Sequence, residues 1–132
     1  MQQNGSINWL KQSQLIFWPI IYIIIGAILH FYIIPAVVDA DTAYHAAVGR
    51  LISQHGMLHS FPWTPFSWLA EHYADKELIF HLLFVPLSKL DWITASKIIG
   101  TLLGALFLFI TYLILRSEKI PYAGIWALLP LI

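Results

Sequence analysis

Between residues 12 and 38 the chain carries no charged side chain, a run of 27 positions. As a helix rising 1.5 Å per residue this run would be roughly 40 Å long, more than the ~30 Å hydrocarbon core of a bilayer, and it predicts a transmembrane helix. It is too long for the apolar core of a signal peptide, and "AVVDADTA" is a poor small-x-small cleavage site, so an uncleaved anchor is expected. Pro19 falls in its first turns and Pro35 near its far end, where proline is tolerated. A second charge-free run, 98–115, has 18 residues and reaches spanning length. A third, "IPYAGIWALLPLI", ends after 13 residues, as if cut off inside a further membrane helix.

The polar positions divide the remainder. After residue 38 the pattern turns amphipathic, predicting a helix over about 42–54. "SFPWTPFSWLAEHYA" follows, in which Phe61, Trp63, Phe66, Trp68 and Tyr73 surround two prolines. Aromatic rings of this kind favour the headgroup level, which predicts a loop lying along the membrane surface. "LIFHLLFVPLS", residues 78–88, is only 11 residues long and contains Pro86, so it predicts an interfacial helix rather than a span. The expected architecture is an all-α polytopic membrane protein. Its segments are an N-terminus (1–11), a first span (12–38), a long loop with interfacial helices (39–97), a second span (98–115), a turn (116–119) and the start of a third span (120–132).

Composition agrees with the pattern. Hydrophobic residues make up 59% of the chain and charged residues 11%, against about 25% charged in soluble domains. Seven basic and seven acidic side chains cancel, so there is no long-range field to attract nucleic acid. The absence of cysteine removes disulfides, thiolate metal sites and thiol nucleophiles. Lys11 before the first run, and Arg116 with Lys119 in "RSEK", place those short connections in the cytoplasm by the positive-inside rule. Residues 39–97 are then expected outside, in an integral protein of a bacterial inner (plasma) membrane.

The candidate chemistry gathers just beyond the first run, in "VVDADTAYHAAVGR". Asp41 can be the N-cap of the amphipathic helix. His45 lies four residues further on the same face, with Gly49 clearing space there, while Arg50 falls about 180° away. Asp39 and Asp41 with His45 can also be read as oxygen and imidazole ligands for a divalent cation. The six histidines show no HExxH or similar zinc spacing, and His30, inside the first run, is expected to hydrogen-bond a neighbouring helix. In "ADKELIFHLL", Asp75 is a candidate cap, while Lys76 opposes the helix dipole and suggests an anionic partner such as a phosphate. Gly100 and Gly104 in "GTLLG" form a small-xxx-small face suited to a helix partner.

This order of elements resembles the amino-terminal end of the GT-C glycosyltransferases, the polytopic enzymes that use polyprenyl-phosphate sugars, such as protein mannosyltransferases and aminoarabinose transferases. "DTAYHAAVGR" is similar to their first-loop motif, with Asp41 on the catalytic aspartate, Thr42 in place of the usual glutamate and His45 on the usual tyrosine. Lys76 falls where some branches have a Lys-Pro-Pro lysine, with Glu77 and Leu78 replacing the prolines. The resemblance implies transfer of a sugar from a polyprenyl-phosphate donor to an extracytoplasmic acceptor. Asp41 would be the catalytic base, with Asp39 sharing that role, and His45, Lys76 and Glu77 would lie at the substrates. A divalent ion, Mg²⁺ or Mn²⁺, would be held by Asp39 and Asp41, and a fragment of this length would be inactive alone. A small membrane scaffold or subunit, and a divalent-metal-binding membrane protein, are the alternatives from other classes.

Overall fold

The computed structural model describes the backbone of residues 3–34 and 40–131, and side chains from residue 13 onward within them. Asp39 and the N-cap position of the second helix lie outside the described residues. Every regular element among those described is helical. The chain divides into two compact units, one formed by residues 1–35 with 100–132 and the other by residues 36–99.

In the first unit, α1 spans Gln3–Ile28 and continues as a π-helical turn over Leu29–Ile33. The stretch Ser13–Ile33 and the helix α4, Trp92–Ser117, are each long and apolar enough to cross a membrane. Only 11% and 28% of their most apolar windows are buried, whereas a helix in a soluble core would bury most of its surface. α4 starts six residues before the charge-free run, since Asp91 accepts the Thr94 backbone N–H at 2.9 Å and begins the helix ahead of Lys97. Residues 92–97 therefore belong to this helix and not to the loop expected over 39–97. α4 ends in a Schellman pattern: the Ile120 N–H donates to the Leu115 carbonyl at 3.0 Å, and Lys119 takes a left-handed φ of 58°.

The third apolar run forms a single helical turn, α5 (Ala123–Trp126), and a 3₁₀ turn over Leu129–Leu131. It returns against α1 and α4 around Tyr22, Leu108, Tyr112 and Ala127. The Tyr22 hydroxyl donates to the Gly124 carbonyl at 2.9 Å, and the Trp18 indole occupies the space any Cβ at Gly124 would need. α1 and α4 approach through small residues: a Cβ at Gly26 would lie 3.4 Å from the Thr101 methyl, and one at Gly100 would lie 2.9 Å from His30 Nε2. The Gly100 face is thus taken up within the chain, while Gly104 has nothing within 4 Å. His30 Nδ1 donates to the Gly26 carbonyl of its own helix at 2.9 Å, while its Nε2 edge packs against Gly100 of α4.

In the second unit, α2 spans Ala40–His55 and α3 spans Leu78–Phe84, extended by a 3₁₀ turn over Val85–Leu87 that contains Pro86. A seven-residue helix is too short to hold itself in water, so α3 depends on packing. Phe84 and Ala46 provide that packing, buried against Ala95 and Ile99 in the first turns of α4. Gly49 marks the crossing, since a Cβ there would overlap Phe84 Cβ and stand 2.9 Å from the His81 carbonyl oxygen. The aromatic loop between them divides. Trp63, Phe66 and Trp68 are exposed, but Tyr73 is buried and its ring lies 5.1 Å from that of Phe61. Tyr73 is therefore core, contrary to the surface position expected for it.

Candidate functional site

α2 begins at Ala40, so Asp41 stands inside the first turn rather than at the cap. A carboxylate there still favours the positive end of the helix dipole. Asp41 is exposed, and His45 follows one turn later, partly buried, its side chain 18% exposed. Gly49, a further turn on, clears room for α3 itself. The strip of α2 read as facing a ligand faces a second helix.

That helix brings up His81. The His81 side chain is wholly buried, and its Nδ1 lies 2.7 Å from Asp75 Oδ2. The other oxygen of Asp75 accepts the Glu77 backbone N–H at 3.0 Å, so the carboxylate is held at both ends just before α3. A carboxylate accepts, so His81 Nδ1 carries the hydrogen and Nε2 presents a lone pair. Nε2 points at His45 Nδ1, 2.8 Å away, and Glu77 Oε2 lies 4.0 Å from the same His45 nitrogen. An ordered chain Asp75–His81–His45 results, running from the interior to a half-exposed Glu77.

Aromatic groups wall the cluster. Phe80 meets the His45 ring edge-on at 4.8 Å, and Tyr44 meets the His81 ring edge-on at 5.5 Å. The Tyr44 and Tyr73 hydroxyls are 3.2 Å apart. Burial pushes the Tyr73 phenol above its ordinary range, and the Tyr44 hydroxyl and the Asp75 and Glu77 carboxylates add to the shift. Tyr73 is therefore protonated at neutral pH and serves as a hydrogen-bonding support.

Of the residues expected at a site, the fold brings His45 and Glu77 together. Asp41 is a turn away on the same helix, Lys76 is exposed beside Glu77, and Asp39 is outside the described residues. Arg50 is not part of the cluster, its guanidinium donating instead to the Ser88 and Leu90 carbonyls at 3.2 and 3.0 Å. Asp75, read as a cap, and His81, read as a loop or interface residue, are additions. The available signal was the Glu77-x-x-x-His81 spacing, which puts both on one helical face. His45, Glu77 and His81 each present a ligand atom, all within 4.8 Å of one another, and can hold a metal ion. The chain matches no protein-family model, no curated protein and no solved structure.

Proposed function

We propose that the chain is the amino-terminal part of a GT-C-like membrane glycosyltransferase, which moves a sugar from a polyprenyl-phosphate donor to an acceptor hydroxyl outside the cytoplasm. One observation carries the reading. His45, from the "DTAYHAAVGR" segment, and Glu77, next to the Lys76 that falls on the family's lysine, are 32 positions apart in sequence (77 − 45) yet lie together in the cluster with His81. Two long apolar helices, which precede and follow these residues in sequence, suit a lipid-linked donor, whose reactive end would stay at the membrane surface.

In this reading Asp41 takes the proton of the acceptor hydroxyl as that oxygen bonds to the anomeric carbon. The bond from that carbon to the phosphate oxygen breaks, and polyprenyl phosphate leaves. Lys76 meets the donor phosphate through a charge-assisted contact, and Asp39 with Asp41 offer oxygen ligands of the kind preferred by Mg²⁺ or Mn²⁺. His45 and Glu77 border the acceptor. The membrane is a bacterial inner membrane, with the segment that precedes α4, residues 39–91, on its outer side.

The test is transfer from a radiolabelled polyprenyl-phosphate sugar in membranes expressing the complete reading frame. A positioned base contributes roughly 10²–10⁴-fold, so Asp41→Asn loses at least about 100-fold in turnover while donor binding survives. Lys76→Ala weakens donor binding instead. Full turnover by Asp41→Asn refutes the assignment.

A further inference from the structure

We infer that His45 Nδ1, His81 Nε2 and the Glu77 carboxylate form a binding site for a transition-metal dication of the zinc class, with Asp75 as the group that orients His81. This site is separate from the oxygen ligands that Asp39 and Asp41 would offer, and it does not depend on the transferase reading.

Charge is the first argument. Two carboxylates, Asp75 and Glu77, face two imidazoles, and His81 and Asp75 are almost entirely out of water, with side chains 0% and 8% exposed. The Asp75 carboxylate is thus a charged group almost out of water, for which a cation bound beside His81 would be a favourable neighbour, while Glu77, 41% exposed, adds a second carboxylate from the hydrated side. The cation must sit where the donors converge. That place lies between His45 Nδ1 and His81 Nε2, on the side of Glu77 Oε2.

Orientation is the second argument. Asp75 fixes the hydrogen on His81 Nδ1 and so dedicates Nε2 as a lone-pair donor. A carboxylate on the far nitrogen of a ligating histidine is the common supporting arrangement in metal sites, where it sets the tautomer and raises ligand basicity. Asp75 is itself fixed by the Glu77 backbone N–H, so the support and the carboxylate ligand belong to one short turn.

The donor set selects the metal. Two imidazoles and one carboxylate suit zinc and its transition-metal neighbours, whereas Mg²⁺ prefers oxygen throughout. Three protein ligands leave a fourth position open, the pattern of zinc sites that bind water or substrate. The hydrogen that His45 Nδ1 contributes to its 2.8 Å contact with His81 Nε2 must move to the other ring nitrogen or leave when the ion binds, and the spacing needs a small adjustment. Metal–nitrogen bonds of about 2.0–2.1 Å at a tetrahedral angle separate the two nitrogens by roughly 3.3 Å, against 2.8 Å between them here. Glu77, with its side chain 41% exposed, has freedom to close on the ion.

The test uses the full chain purified in detergent, stripped with chelator and titrated with Co²⁺, whose tetrahedral complexes absorb strongly in the visible. One equivalent of Co²⁺ is expected to give that band, and one equivalent of Zn²⁺ to abolish it. His45→Gln and Glu77→Gln, both at partly exposed positions, should lose the band, with helicity checked by circular dichroism. Asp75→Asn should keep it but weaken Co²⁺ affinity by about 10–100-fold, the usual effect of losing a supporting group. His55→Gln and His72→Gln, outside the cluster, should leave both band and affinity unchanged. Failure of Co²⁺ to give a band, or a band that survives His45→Gln and Glu77→Gln together, overturns the site and leaves the cluster as a hydrogen-bonded pair sharing a proton. Transfer activity plays no part in these readouts, so the two proposals fail separately.

Discussion

Gly49→Ala tests whether the cluster depends on the close crossing of α2 and α3. In an ordinary helix interior this change is favourable, since alanine exceeds glycine by about 1 kcal/mol in helix propensity. At position 49 the new methyl would overlap Phe84 Cβ and stand 2.9 Å from the His81 carbonyl oxygen. Neither neighbour is the free end of a flexible side chain, so relief requires α3 itself to shift. Overpacking of this kind costs about 1–3 kcal/mol, which cancels or outweighs the propensity gain. Gly104→Ala is the internal control, because nothing lies within 4 Å of its added methyl. The difference between the two variants isolates the packing cost at about 1–3 kcal/mol. At roughly 4 °C per kcal/mol for a chain of this size, Gly49→Ala should melt about 4–12 °C below Gly104→Ala. Thermal scans in detergent by far-ultraviolet circular dichroism and tryptophan fluorescence measure this. Equal melting of the two variants would show that α3 does not lie where the crossing puts it, and would remove the basis for placing His81 beside His45.

Two further predictions concern the ends of α4. Hydrogen bonds from the Thr94 side chain and then from its backbone hold the Asp91 carboxyl below the ordinary carboxylate range. A depressed folded-state value means that the stabilisation is complete above the unfolded value and is lost as pH falls through the folded one, so it should disappear below about pH 4. Asp91→Asn should keep the cap and flatten this acid limb of the melting curve, and an unchanged limb would disprove the link. For orientation, the chain has no cysteine of its own, so single cysteines at Ser60 and Ser117 report cleanly with an impermeant maleimide in intact cells. Position 60 should label and position 117 should not, and the reverse would invert the topology.

How far the sequence revealed the fold depends on what each signal measures. A window without charge located both long helices, since hydrocarbon thickness sets their length. It misplaced their ends, because ends are set by capping: Asp91 starts α4 ahead of Lys97, and no hydropathy window registers a carboxylate that satisfies a backbone N–H. Periodicity put His45 and Gly49 on one face of α2, and both meet α3. It could not say what that face meets. His81 was missed because a Glu-x-x-x-His spacing is common on helices, and it becomes informative only once His45, 36 residues earlier, is known to lie against it. Tyr73 was misread as a surface aromatic for a similar reason. Composition gives a ring a preference for the interface, but the Tyr44 hydroxyl and Phe61 give this one a place inside.

The dependence of the cluster on packing also bears on which residues matter for it. α3 has seven residues and no side-chain hydrogen bond at its cap, so almost none of its order is intrinsic. Three contacts hold it in register: Phe84 in the core, the Asp75 turn at its start, and the Arg50 guanidinium on the Ser88 and Leu90 carbonyls just past its end. They fall before, within and just after the helix, and together they hold the segment that places His81 beside His45. Arg50 is exposed and touches no atom of the cluster, yet it secures the segment that carries two of the three proposed ligands. α2 thus both presents His45 and, through Gly49 and Arg50, holds the segment that completes the set.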